Sequence, residues 1–547
     1  MDTFTSQWQL LPKIVQRGLL VSSEGKLHLM HLAQELLKVA NQSSDVRLYL
    51  NLAMDLLQAA WTKDPLDGHL AGQLLALNTK WPRLEASVLN MVQFAANHWV
   101  IPENLKYYQR LAESGDGQRI HHFLSAQFSR DMDNLFWRQQ MLTYGFFDQN
   151  ENLVRQILDA PWPDVLTPCR ALFLGNWAWL GQDYVQAVHA YNQAVGLDAS
   201  WRRAKYLYQN DQKYAARTKW QEILGKNPWM ISETLHLYDI IQGTDQQQAT
   251  FNGPVAIALY SFNKDDELNA TLASVFASKS LTHPVWVLDN GSTDTTAQIL
   301  SSWKDRMGQC LEIISLPVNI GAPAARNWLM HLPQIRQYPW MIYLDDDVEL
   351  PSNWLKLLAG AVQAYPEAGV WGCKVVDHAV PAVLQCVDLH LEPVLSEAAR
   401  QAGKRFEVSG LHRETMDFGQ FDYVRPCTSV TGCCHLFRTD RLHDFGDFDL
   451  RFSPSQFDDL EHDIRLNLAG HYAVYQGFLR VRHKKRTGHG LHSSPGAAGS
   501  AFANMHKLQT KYTQAQFDQV MNFETDLMLR DFWTKRRVVR QWLEGKS

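Results

Sequence analysis

From the N-terminus to about residue 250, apolar residues recur at helical spacing, as in Leu52, Leu56, Leu57, Ala60 and Trp61, and runs that alternate apolar with polar positions are few. That pattern predicts a region that is almost all helix. Near residue 244 it breaks, because the polar stretch 243–254 is followed at once by the apolar run 255–259. Beyond the break, strand-like runs at 255–260, 285–288, 311–315 and 340–344 alternate with helical stretches at 267–278, 293–304 and 322–331. Strand and helix in turn predict an α/β domain built on a doubly wound, mostly parallel sheet. Ligands of such sheets sit beyond the carboxyl ends of the strands, so the residues just after each run are where chemistry is expected.

The expected organisation is a helical domain over 1–250, an α/β domain over 251–490 and a C-terminal extension over 491–547, made of a flexible loop and helices. In the helical part, Trp177, Leu180, Gly181, Tyr184, Ala187, Tyr191 and Ala194 resemble the helix-turn-helix unit of tetratricopeptide repeats. Ala216, Trp220, Ile223 and Pro228 repeat its small-large-small-Pro second half, as do Ala53, Leu57, Ala60 and Pro65. Stacked units of this kind offer a groove to a peptide or a protein partner, whereas the plain alternative is an irregular helical domain. The small-residue run 493–500 reads either as a mobile loop over the site or as a linker to a packing helix.

Size and composition agree with several folded domains: 547 residues exceed the roughly 250 to 300 that one core usually holds. Hydrophobic residues at 46% and charged residues at 20% leave little room for long disordered stretches. With 52 Lys and Arg against 57 Asp and Glu, no nucleic-acid partner is expected, and the basic cluster 535–537 with Arg540 reads as a solvated helix face. The seven cysteines form no C-x-x-C pair and read as buried or incidental thiols of a reducing cytoplasm. The first residues lack the order of an export signal, and no apolar run approaches the roughly 18 residues of a membrane span, so a cytoplasmic protein without a transmembrane segment is expected.

The four strand ends carry the candidate chemistry. After the first comes the turn 261–268, whose Asn and Asp residues can cap the next helix while Phe262 offers a flat face. After the second, Asp289-Asn290-Gly291-Ser292 makes a tight turn in which Asp289 can accept from a ring N–H of a bound base. After the third, the loop and helix 319–327 bring Arg326, readable either as a ligand contact or as a structural ion-pair partner. After the fourth come Asp345, Asp346 and Asp347, whose mutual repulsion is costly unless a cation is shared. In an extended segment Asp345 and Asp347 point the same way and can hold Mg2+ or Mn2+ bridging two phosphates; a solvated acidic turn is the bland alternative.

In this order the motifs resemble the family 2 glycosyltransferases of the GT-A fold: Phe262-Asn263, Asp289 to Ser292, Asn319 to Asn327 and Asp345 to Asp347 stand where that family has its corresponding turns, helix and Asp-x-Asp triplet. The likeness continues through 431–438 and 445–449 to Asp458-Asp459-Leu460-Glu461-His462-Asp463-Ile464-Arg465, with Gly470 at the helix end, and covers roughly 254–490. Here Asp replaces the family's Glu and Glu461 its second Asp, which keeps the carboxylates but changes their reach. The resemblance implies metal-dependent, inverting transfer of a sugar from a nucleotide diphosphate-sugar, with a UDP-sugar the first expectation. It implies Asp459 as general base, with Asp458 and Glu461 as runners-up, and a cation held by Asp345, Asp347 and His483. Phe262 would lie against the base, Asp289 hydrogen-bond it, and Asp345 or Asp346 reach the ribose, with Arg326 also on the donor side. The acceptor stays open between a peptide or protein and a cell-surface glycan. Two alternatives remain: a sugar nucleotidyltransferase, whose Gly-rich loop 261–268 does not supply, and a scaffold whose transferase domain is inactive.

Overall fold

The structure is a computed structural model that describes residues 3–40, 45–246, 249–277, 283–413, 415–484 and 495–545. Up to residue 246 the described chain forms helices and no strand. Consecutive helices pack in pairs, among them Lys26–Ala40 with Val46–Lys63, Thr167–Leu180 with Tyr184–Tyr191, and Leu197–Gln209 with Lys213–Lys226. Small residues permit the approach: a Cβ on Gly175 would stand 2.4 Å from the Tyr191 ring, and Ala53, Ala60, Ala187 and Ala216 are fully buried. The three stretches with repeat-like spacing each fall on the second helix of such a pair, or span a pair, with Pro65 and Pro228 just beyond helix ends. Pairing of neighbouring helices is what these places share; the tetratricopeptide likeness rests on spacing alone.

Two units are distinguished by the density of contacts within them: one of residues 1–234, 414–420 and 537–547, and one of 235–413 and 421–536. Among the described residues of the second unit twelve strands follow one another: β1 (Val255–Ser261), β2 (Val285–Asp289), β3 (Leu311–Ser315), β4 (Trp340–Leu344), β5 (Val348–Glu349), β6 (Val370–Asp377), β7 (Leu384–Cys386), β8 (Leu391–Glu392), β9 (Glu407–Val408), β10 (Val424–Cys427), β11 (Cys434–Arg438) and β12 (Ala473–His483). The main sheet runs β10-β12-β6-β11-β4-β1-β2-β3, with β5 beside β12 and β7 beside β6, while β8 and β9 pair apart from it.

Strands β3, β2, β1 and β4 are parallel, as the alternation of runs and helices predicts. The other half is mixed: β11 lies antiparallel to both β4 and β6, and β12 is parallel to β6 but antiparallel to β10. Strands that face apolar surroundings on both sides need no polar alternation, and β1, β2 and β6 accordingly read as near-continuous apolar runs. The core joins these strands to Leu268, Leu272 and Val275 of the helix Asp265–Phe276, to Leu300 and Trp303, and to Trp354, Leu357, Leu358 and Ala361 of the helix Trp354–Ala364. A second core gathers Leu460 and Ile464 of the helix Asp458–Leu468 with Leu508, Tyr512, Phe517, Val520 and Met521 of the C-terminal helices.

Two expectations change in detail. Lys535 is buried, with Nζ donating to Val424 O and 3.2 Å from Asp531 Oδ2, so this end of the basic cluster is no solvated face. Residue 278 and residues 491–494, on which parts of the expected helix and mobile loop fall, lie outside the described residues, and a helix already runs from Pro495 to Lys511. Among the described residues, no helix is long and apolar enough to cross a membrane.

Candidate functional site

The turns after β1, β2 and β3 are laced together by short polar side chains. Gly291 adopts a φ of +78°, and a Cβ there would stand 2.6 Å from the Val318 carbonyl carbon, so only glycine fits the turn. Asp289 Oδ1 accepts from Ser292 N at 2.9 Å, and Ser292 Oγ in turn accepts from Asn263 N at 3.0 Å. Asn263 Oδ1 accepts from Thr293 N at 2.7 Å, and Asn290 reaches across to Asn319 Oδ1 and Ile320 N, both at 3.0 Å. Phe262 stays 40% exposed at the edge of this lacing. Asp289 is buried, and its second oxygen has no protein partner among the described residues.

The acidic triplet follows β4. Residues 346 and 347 form a turn into β5 rather than an extended segment, so strand alternation is not what brings the carboxylates together. Thr271 pins the turn from the helix Asp265–Phe276, its Oγ1 donating to Asp346 O and Val348 O at 2.9 Å. Asp346 and Asp347 are buried, which removes the solvated-turn alternative. Lys264 Nζ lies 2.8 Å from both Asp346 Oδ1 and Asp347 Oδ2. Burial works against the ammonium, but the two carboxylates outweigh it and raise Lys264 above its ordinary value.

His483, at the end of β12, comes to the same turn because β12 pairs with β5 and sets His483 opposite Val348. Its Nε2 lies 2.9 Å from Asp347 Oδ1 and 3.8 Å from Asp345 Oδ2. Its Nδ1 lies 2.9 Å from Gln385 Oε1, and because that amide's nitrogen donates to His483 O at 3.0 Å, the Oε1 must accept the Nδ1 proton. The ring is thereby turned so that Nε2 offers its lone pair toward the carboxylates, the arrangement a metal-binding imidazole needs. A divalent cation fits this donor set. Burial opposes a charged imidazole, while Cys433 and Asp347 raise it to about 11, so proton and cation compete for one place. Burial raises Asp347 and the His483 and Lys264 contacts more than reverse it, leaving this carboxylate well below its ordinary value.

The helix Asp458–Leu468 supplies the next acids, after two residues with left-handed backbone, Gln456 at φ +80° and Phe457 at +67°. Its first acid, Asp458, is buried against Arg326, with Nη1 to Oδ2 at 2.9 Å, and burial pushes Asp458 up to about 6 in spite of the guanidinium. Arg326 is itself buried between the rings of Tyr260, Tyr343 and Phe448, so the ion-pair alternative is the contact it makes. Glu461 is enclosed by Lys511, Tyr512 and Arg465. Asp459 is the acid of this helix start left partly exposed; its Oδ2 accepts from Gly432 N and its Oδ1 from Leu460 N, both at 2.8 Å. Gly432 precedes Cys433, whose O accepts from Asp345 N at 3.2 Å, so the loop 431–433 lies between Asp459 and the triplet.

Residues 256–403 match the model of glycosyl transferase family 2. This stretch of the α/β part is thus similar to a family 2 glycosyltransferase domain. No curated protein sequence matches the chain. Among solved structures, GalNAc-T7 with UDP, GalNAc and Mn2+ is similar with a TM-score of 0.35 and 11% identity, covering 50% of this chain and 54% of that one. The mannosyltransferase PcManGT from Pyrobaculum calidifontis, in complex with GDP-Man and Mn2+, has a TM-score of 0.34 and 14% identity over 57% of this chain and 86% of its own. S. aureus TarS has a TM-score of 0.33 and 15% identity, over 49% and 42%. The chain thus spans about half the length of the first of these, and likeness at such scores assigns no residue a role.

Three neighbours of the triplet gain a role only from the structure. Lys264 sits inside the turn 261–268 but draws attention only once Asp346 and Asp347 are seen beside it. Gln385 comes from β7, far from any recognisable pattern. Cys433 reads from sequence as one more inert thiol, yet its donor atom and those of Asp345 and His483 lie within 4.8 Å of one another.

Proposed function

We propose that the chain moves a sugar from a nucleotide diphosphate-sugar to an acceptor with inversion, in a metal-dependent single displacement. The observation that carries this is the meeting of Asp345, Asp347 and His483 at one point, with Asp459 held nearby and left accessible; Asp345 and Asp347 fall within the residues 256–403 that match the family 2 model. A Mn2+ or Mg2+ ion held by these three residues would supply the Lewis acid that stabilises negative charge on the departing diphosphate. Asp459 takes the acceptor's proton as the nucleophile attacks; the two backbone N–H groups on its oxygens fix the plane of the carboxylate. Because Asp458 is committed to Arg326 and Glu461 to Lys511, Tyr512 and Arg465, Asp459 is preferred over both as the base.

On the donor side, exposed Phe262 lies against the base, and the unpartnered oxygen of Asp289 accepts a ring N–H, which favours uridine. Asp345 is the more accessible of the two acids considered for the ribose, since Asp346 is buried on Lys264. The acceptor is a peptide, a protein or a glycan, and the helical unit is the part available to bind it or a protein partner. A cytoplasmic setting belongs to the same proposal, as the seven cysteines are free thiols.

The test is thermal stabilisation by UDP, GDP and dTDP with Mn2+ or with chelator, on wild type and Asp347→Ala. UDP with Mn2+ is expected to raise the midpoint of the wild type, with the rise lost in chelator and in the variant. Equal stabilisation by UDP with and without the metal would overturn the metal-dependent reading.

A further inference from the structure

Cys433 is the residue just before β11, and register decides where it points. Strand β11 runs antiparallel to β4 with Cys434 opposite Leu344, so residue 433 falls opposite Asp345, whose N donates to Cys433 O at 3.2 Å. Cys433 and Cys434 both belong to the buried core, and Cys433 lies at its edge, where its sulfur also meets the acidic turn. There β12 delivers His483 through its pairing with β5. The result is a buried sulfur whose Sγ, with an Asp345 oxygen and a His483 nitrogen, forms a group of donors all within 4.8 Å of one another. Thr431 Oγ1, 3.3 Å from Sγ, is its hydroxyl neighbour.

We propose that Cys433 is a sulfur ligand of the divalent cation, completing a set with the oxygens of Asp345 and Asp347 and the Nε2 of His483. This rests on the metal-dependent reading above and goes beyond it. On binding, the metal–sulfur bond forms as the thiol proton leaves to solvent. Magnesium favours an all-oxygen octahedron, whereas a mixed oxygen, nitrogen and thiolate set suits borderline transition ions. The site therefore selects Mn2+, Co2+ or Zn2+ over Mg2+.

Cobalt reads this directly, because a thiolate ligand adds a sulfur-to-metal charge-transfer band in the near ultraviolet to the visible ligand-field bands. The full chain, stripped with chelator, is titrated with Co2+ in the presence of UDP, as wild type, Cys433→Ser and Asp347→Ala. The expected result is a charge-transfer band in the wild type that disappears in Cys433→Ser while ligand-field bands persist. Preference for Mn2+ over Mg2+ in competition then falls about tenfold or more in the serine variant. Ligand-field bands without charge transfer in the wild type, or a charge-transfer band that survives in Cys433→Ser, overturn the sulfur ligand and leave the metal reading intact. Absence of any cobalt signal in the wild type overturns both. The wild-type spectrum decides the matter even if the serine variant fails to fold.

Discussion

At the scale of single residues, Asp458 and Asp459 are neighbours that the fold treats oppositely, and this separates their expected effects. Asp459 is partly exposed and, among the described residues, is held by the backbone donors Gly432 N and Leu460 N, so Asp459→Asn is expected to lower turnover by about 100- to 10,000-fold, the usual contribution of a general base. Stabilisation by UDP with Mn2+ should persist in that variant, because the donor-side residues are unchanged; a loss of both would show Asp459 to be a donor-site or structural residue. Asp458 is a stability residue first. Burial pushes it up to about 6, against the attraction of Arg326. A carboxyl whose folded value is raised holds more protons in the native state than in the unfolded one, so stability falls as pH rises from about 4 through about 6. Removing that titration in Asp458→Asn should flatten the midpoint-versus-pH curve across this window, by the equivalent of up to about 3 kcal/mol. The variant keeps an unpaired buried guanidinium at every pH, which lowers its stability without adding a slope. Parallel curves for wild type and variant would refute the assignment.

At the scale of elements, β1 to β4 were legible in the sequence because each is a short apolar run closed by a turn motif, and the ends of β3 and β4 fall where the runs end. The second half of the sheet was not. Strands β5, β8 and β9 are two residues long, too short for any periodicity, and β7 is three. The acids of the site could be named because they sit in motifs, whereas Lys264, Gln385 and Cys433 become relevant only through the pairings of β1 with β4, of β7 with β6 and of β11 with β4, which no local pattern encodes. The same limit hid the support of the acidic helix. Asn504, on the C-terminal helix Pro495–Lys511, donates from Nδ2 to Phe452 O at 2.7 Å, Ser455 O at 2.9 Å and Gln456 O at 3.3 Å. Those carbonyls belong to the turn whose Gln456 and Phe457 hold left-handed backbone, a conformation costing about 1 to 3 kcal/mol per residue unless its surroundings impose it. Asn504→Leu removes the donor and is expected to cost about 1 to 3 kcal/mol of stability. It should also reduce turnover more than it changes UDP- and Mn2+-dependent stabilisation, because the turn leads to Asp458 and Asp459 and not to the triplet. Turnover equal to wild type in a folded variant would show that the turn keeps its shape without Asn504.

At the scale of the whole molecule, the change of texture near residue 244 locates where strands begin but not where the α/β unit begins. By density of internal contacts that unit starts at Leu235, inside the helix Ile231–Gln242. The reason is local: Leu235 and Leu237 are buried, and Asp239 Oδ2 accepts from Val424 N at 2.7 Å, the first residue of the edge strand β10. A helix reads the same in sequence whichever unit it packs into, so periodicity alone had no means of assigning it. Two fragments test the point, one of residues 229–547 and one of 251–547. Both lack most of the helical unit, to which 414–420 and 537–547 also belong, so the difference between them isolates the helix. Each buried leucine contributes about 1.5 to 3 kcal/mol, and loss of Asp239 leaves an edge-strand N–H without its partner at about 1 to 3 kcal/mol more. The sum rivals the whole stability of a typical domain, about 5 to 15 kcal/mol. The longer fragment is expected to unfold cooperatively and to be stabilised by UDP with Mn2+, and the shorter one to aggregate or melt at much lower temperature. Equal melting of the two would place the start of the α/β unit at the change of sequence texture, not inside the helix.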